Sequence, residues 1–203
     1  MLVFDTTIEL VLLALFAIWY IGLFSMIRGV TVYERKWVGG TLYYKPYSGN
    51  YNDIGPVYEK AWADMNSYVE TEPKKFPMPL VGIYYDDAKK TNSRAVVGFL
   101  ARHAVTEEQT KHFTSMGYMV KELPKAKSIF ASHSIPNRWG IFYGIAAAKV
   151  YPKLFARAAE KYGSTKKDGH YAVEMHPIYR AEVDYYVPVE NGSDFFLFDK
   201  KQN

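Results

Sequence analysis

Cysteine is absent from the 203 residues. That excludes a disulfide framework, a thiolate metal site and a cysteine nucleophile. No lysine or arginine precedes Arg28, so the first 27 residues carry no positive side chain. No glycine-rich phosphate loop and no zincin helix signature occurs, and no other cofactor signature stands out. Basic residues form no stripe and match no nucleic-acid reading motif, so no nucleic-acid partner is expected despite the excess of 25 Lys and Arg over 21 acids.

What is present points to a folding chain. Hydrophobic residues make up 49% and charged residues 23%, an ordinary balance for one domain with a sizeable core. The 18 tyrosines suit half-buried strands and contact surfaces, because each buries a ring and keeps a hydroxyl wet. Residues 1–9 read as a short acidic flank with Asp5 and Glu9. Leu10 to Ile27 is an uncharged apolar run, which reads as a transmembrane helix. Arg28, Arg35 and Lys36 follow it, and the positive-inside rule then places residues 28–203 on the cytoplasmic or matrix side. The expectation is an integral, single-pass protein of the endoplasmic reticulum or mitochondrial inner membrane, with lipid and membrane-complex subunits or adaptors as partners.

Residues 28–190 read as one α+β domain. Thr31 to Ser48 is rich in Val, Tyr and Trp and reads as strand, with Gly39-Gly40 as a bulge or bend. Ile54, Val57, Tyr58, Ala61, Trp62, Met65, Tyr68 and Val69 recur at helical spacing behind Gly55-Pro56. Leu80–Tyr85 and Arg94–Ala101 read as a hairpin. Thr106 opens a short helix that Gly117 ends. The order then repeats: strand over Tyr118–Leu123 and Ile129–Ser134, a long helix from about Arg138 to Tyr162, and a hairpin of Tyr171–Met175 and Ala181–Val189. Pro152 is expected to kink or break the long helix. A duplicated strand–helix–strand–strand unit predicts one sheet with both helices on one face and a concave surface on the other. Residues 191–203, with Phe195 to Phe198, form a closing segment.

Ser48-Gly49-Asn50-Tyr51, Gly82-Ile83-Tyr84-Tyr85-Asp86-Asp87 and Ala172-Val173-Glu174-Met175 resemble the GyrI-like effector-binding domain. Members of that family act as gyrase inhibitors and as drug-sensing domains of transcription regulators. The fuller resemblance is to the eukaryotic testis-expressed, membrane-anchored GyrI-like proteins. Those serve as receptors for autophagy of the endoplasmic reticulum and recruit a AAA-type segregase. Their autophagy motif lies in a long tail beyond the domain. The resemblance implies a non-catalytic binding or scaffolding module that docks partner proteins. A small-molecule sensor or hydrolase using the concave face is the alternative.

Glu174 matches the acid that some drug-sensing relatives set against cationic ligands. With Tyr84, Trp139 and Tyr143 it forms the candidate ligand site, a carboxylate among aromatic rings. A strand glutamate that points to solvent or pairs with Arg180 is the plain alternative. Tyr51, Tyr58, Trp62, Tyr84, Trp139 and Tyr143 read first as core. His170, Glu174 and His176 share strand parity, but nothing else with ligand spacing accompanies them, and no metal is expected. Ser132-His133 cannot act as a dyad, because adjacent strand residues face opposite ways.

Overall fold

The computed structural model describes residues 6–21, 27, 29–71, 78–86, 90–135, 140–163 and 171–198. The first element, α1 (Thr6–Ile21), is largely apolar after Glu9, and among its described side chains none joins the apolar clusters of the domain. Its 16 residues extend about 24 Å, short of a hydrocarbon core of about 30 Å. Among the described residues no helix is long and apolar enough to cross a membrane. The transmembrane segment expected over Leu10–Ile27 is therefore corrected, and with it the single-pass topology, the membrane localisation and the lipid and membrane-complex partners; residues 22–26 of that run lie outside the described residues.

The domain proper runs β1 (Tyr33–Trp37), β2 (Gly40–Gly49), α2 (Gly55–Thr71), β3 (Leu80–Tyr84), β4 (Ser93–Ala101), α3 (Glu107–Ser115), β5 (Met119–Leu123), β6 (Ala126–Ser134), α4 (Gly140–Tyr162), β7 (Ala172–His176) and β8 (Glu182–Pro188). It is an α+β fold whose eight strands form one curled, antiparallel sheet in the order β1-β6-β8-β7-β3-β4-β2-β5. The single strand expected over Thr31–Ser48 is two. Gly39 and Gly40 take φ of 74° and 138°, which only glycine adopts without strain. The chain turns there so sharply that β1 pairs with β6 while β2 pairs with β4 and β5.

The centre of the sheet is the β3–β7 pair, registered so that Gly82 faces Glu174, Leu80 faces His176 and Tyr84 faces Ala172. On either side the order is β6-β8-β7 and β3-β4-β2. The two halves are thus related by an approximate two-fold axis through the Gly82–Glu174 pair. Under it Gly82 corresponds to Glu174 and Tyr84 to His176.

The helices lie on one face. Met65 and Tyr68 of α2 and Phe113 of α3 pack with Tyr43, Ala95, Val97 and Phe99. Phe142, Ala146, Val150 and Leu154 of α4 pack with Ile129, Ala131, Val183 and Tyr185. Helix α4 is continuous through Pro152, so of the expected kink or break the break does not occur. The other face is not an open concavity. The curl closes it over Trp37, Leu42, Val81, Ile83, Leu100, Phe130, Val173, Met175 and Tyr186, with Phe195 of the 3-10 turn Gly192–Phe195 completing the core. Tyr85 holds that segment, donating to the Phe195 carbonyl at 2.9 Å and accepting from the Leu197 N–H at 3.2 Å.

Candidate functional site

Val173 and Met175 point into the closed inner core, so Ala172, Glu174 and His176 point to the helix face. There α2 and α4 stand apart, each over its own half of the sheet. The gap is a cavity of about 520 Å³, with Glu174, Tyr84 and Tyr143 on its lining. The expectation of a concave-face site is corrected accordingly: the side chains chosen from the sequence meet in a cleft between helices, because the concave face is filled by the sheet's own apolar residues. Trp139, the fourth residue chosen, lies outside the described residues. Tyr51, Tyr58 and Trp62, read first as core, line the same cavity.

The cavity wall is built on the two-fold relation. Helix α2 opens Gly55-Pro56-Val57-Tyr58 and α4 opens Gly140-Ile141-Phe142-Tyr143, so Tyr58 and Tyr143 occupy corresponding positions three residues into their helices. At the centre the correspondence breaks. A Cβ on Gly82 would sit 1.9 Å from the Tyr58 hydroxyl oxygen, a separation no side chain allows. The missing side chain is what lets Tyr58 reach over β3 and exchange a 2.8 Å hydrogen bond with the Tyr84 hydroxyl.

Glu174 is buried at 8% exposure. It accepts a hydrogen bond from the Tyr151 hydroxyl of α4, and its Oε2 lies 3.7 Å from His176 Nε2. Among the described residues neither Lys nor Arg forms an ion pair with it. Arg180 also lines the cavity, yet its guanidinium is committed at 2.8 Å to each of Glu182 and Asp184. The pairing with Arg180 foreseen as the plain alternative for Glu174 goes to these two acids instead. Burial pushes the Tyr58, Tyr84 and Tyr151 phenols well above the ordinary tyrosine range, and the neighbouring Glu174 charge pushes further. Tyr185 is raised by the same two causes, and Tyr51, at the edge of the cluster, is pushed up to about 12 chiefly by burial. The hydroxyls therefore stay protonated, and one carboxyl is ringed by neutral phenols.

The Gly-Ile-Tyr-Tyr-Asp-Asp run has a second part to play. Asp86 accepts from the Arg94 backbone N–H at 3.0 Å and from Arg94 Nε at 2.8 Å, with Lys90 Nζ at 3.1 Å, clamping the β3–β4 connection. Burial opposes its charge, but these bonds prevail and hold its carboxyl down at about 2. Ser132 Oγ donates to Glu182 Oε2 at 3.2 Å, while the adjacent His133 is buried and its imidazole is held below its ordinary value by burial and by Lys149.

Tyr151, Tyr185 and His176 were not picked out as site residues. A repeated Gly-x-x-Tyr at the two helix starts is a usable signal for Tyr58 and Tyr143. No local signal marks Tyr151, which reaches Glu174 only because α4 crosses β7.

No protein-family model matches the chain, and no curated protein matches it. Solved structures do. An uncharacterized conserved protein from Listeria innocua superposes with a TM-score of 0.52 at 8% identity, over 80% of this chain and 93% of that one. A hydrolase from Listeria innocua gives 0.48 at 9% identity, over 79% and 92%. The EcmrR chain of an EcmrR–DNA complex gives 0.46 at 11% identity, over 78% of this chain and 57% of that one. At these identities the likeness extends to fold alone, an α+β domain with one curled antiparallel sheet.

Proposed function

We propose that this protein is a non-catalytic binding domain for a small organic cation, held in the cleft between α2 and α4. The observation that supports this is the state of Glu174: a buried carboxyl with phenols around it and no Lys or Arg paired to it among the described residues. A buried charge without a counter-ion is costly, and a cationic ligand offsets that cost. The ring faces of Tyr58, Tyr84, Tyr143 and Trp62 supply cation–π and stacking surface. The cavity, at about 520 Å³, falls in the range of small-molecule sites. The partner-docking role read from the sequence depended on a membrane anchor and is not carried further.

Fluorescence titration of the full chain with ethidium, a planar aromatic monocation, tests this reading. Binding that Glu174→Gln weakens by at least tenfold, with an anionic dye of similar size excluded, is the expected result. Equal binding of the anionic dye, or no effect of Glu174→Gln, overturns it.

A further inference from the structure

The place between Tyr58 and Tyr143, where such a cation would lie, already holds a ring of the protein's own. His176 stands two residues beyond Glu174 on the same face of β7. Its imidazole centroid lies 4.9 Å from that of Tyr58 on α2 and 5.4 Å from that of Tyr143 on α4, tilted 57° and 41° to them. Rings from both helices thus flank one imidazole, and they are the two that the approximate two-fold makes equivalent. The Nε2 faces Glu174 Oε2 at 3.7 Å, outside hydrogen-bond reach.

What holds the imidazole there is ring contact. Its buried Nε2 has no hydrogen-bond partner among the described residues. Its two-fold counterpart Tyr84 makes a 2.8 Å hydrogen bond to Tyr58, so the same position in the other half is pinned and this one is not. A buried, unsatisfied nitrogen disfavours the state that contains it, which makes this ring the displaceable member of the cluster. Among the described residues the other charged groups on the cavity wall are Glu59 of α2, Arg180 and Glu182, and the last two are paired to each other at 2.8 Å.

We propose that His176 is an internal occupant of the cation cage and the residue that determines which cations enter it. This rests on the cation-binding reading. A ligand must expel the imidazole from between Tyr58 and Tyr143 and replace two ring contacts at once. A planar aromatic monocation can cover both phenol faces and still present its charge to Glu174. A compact ammonium reaches the carboxylate but touches too little ring surface to replace what it displaces. The cage thereby selects extended aromatic cations over small quaternary ammonium ions.

The experiment compares ethidium and tetramethylammonium on the full chain by calorimetry, in wild type, His176→Ala, His176→Ser and Glu174→Gln. Removing the imidazole is expected to tighten tetramethylammonium by about tenfold, the worth of the contacts it no longer has to break, and so to narrow its disadvantage against ethidium. Weaker ethidium binding in both His176 variants would make the imidazole a ligand contact and overturn the inference. So would unchanged selectivity with binding still dependent on Glu174, a result that leaves the cation reading standing. No binding of either probe by wild type or variants overturns the cation reading and this inference together. A ligand-free measurement checks the occupancy itself. In the free protein the His176 ring C–H protons are expected upfield, shifted by the Tyr58 and Tyr143 ring currents, and to move back downfield in Tyr143→Leu with the rest of the amide spectrum retained. Ring protons at ordinary positions in wild type would show an empty cage and overturn the inference.

Discussion

The two halves of the sheet present the same scaffold and different chemistry. Each lays a helix across three strands, with a tyrosine three residues into the helix and a buried alanine three residues further on, Ala61 in one and Ala146 in the other. At the strand position nearest the axis, one half has Gly82 and the other Glu174. One half withdraws its side chain and lets a phenol descend; the other extends a carboxylate into the space so framed. A pocket for a single charge on a two-fold scaffold needs this inequality. Two carboxylates facing across one strand pair would repel, and the site would favour sharing a proton over binding one cation.

Gly82→Ala breaks that inequality most directly. The new Cβ would meet the Tyr58 hydroxyl, so the Tyr58–Tyr84 hydrogen bond is lost and the phenol is pushed into the cavity. Destabilisation of about 2–3 kcal/mol is expected in urea unfolding, with ethidium binding abolished. A variant as stable as wild type that still binds would mean that Tyr58 has room to swing aside. Tyr151→Phe acts on the other half and removes the hydroxyl that donates to Glu174. It is expected to cost about 1–2 kcal/mol. The Tyr151→Phe, Glu174→Gln double-mutant cycle should show coupling of about 1 kcal/mol, and strict additivity would deny the contact.

The hairpins of the two halves also differ, one clamped on an acid (Asp86) and the other on a base (Arg180). Asp86→Asn is expected to cost about 1 kcal/mol at pH 7, a modest figure because Arg94 is about one-third exposed. Since the Asp86 carboxyl is lower in the fold than in the unfolded chain, its contribution is present above about pH 4 and fades as pH falls toward about 2. The wild-type and Asp86→Asn stability curves should therefore converge in acid; parallel curves would show that the clamp is not electrostatic. Gly144→Ala is the smallest change and opposite in sign. An added Cβ there meets nothing within 4 Å, and alanine inside α4 should stabilise by about 0.5–1 kcal/mol. A loss of stability would place a contact where the structure has open space.

Much of the framework was legible in the residues. The spacing of Val57, Ala61, Met65 and Tyr68 marks α2 because helix period and apolar stripe coincide. The same logic found α4, whose expected start at about Arg138 lies outside the described residues. Pro152 costs about 3 kcal/mol in isolation through its lost backbone bond, yet it does not break α4, because Val150, Leu154 and Ala158 bury a continuous stripe around it. The apolar run Leu10–Ile27 was read as a span from hydropathy alone, whereas among the described residues no helix is long and apolar enough to cross a membrane. Glu174 and Tyr84 were legible through their motifs, yet the face they occupy was not. Strand β7 is buried on both sides, from Ala172 to Met175, so alternation offers no inside and outside to choose between.

The sequence by itself determined the elements, the doubled order and the residues able to carry a site, because helix period, turn glycines and side-chain chemistry are local properties. Only the tertiary structure decided that the concave face would become core, that Gly82 would face Glu174, and that His176 would lie between Tyr58 and Tyr143. Those outcomes depend on strand register and sheet curl, which set distances between residues far apart in the chain and are selected by the packing of the whole domain at once.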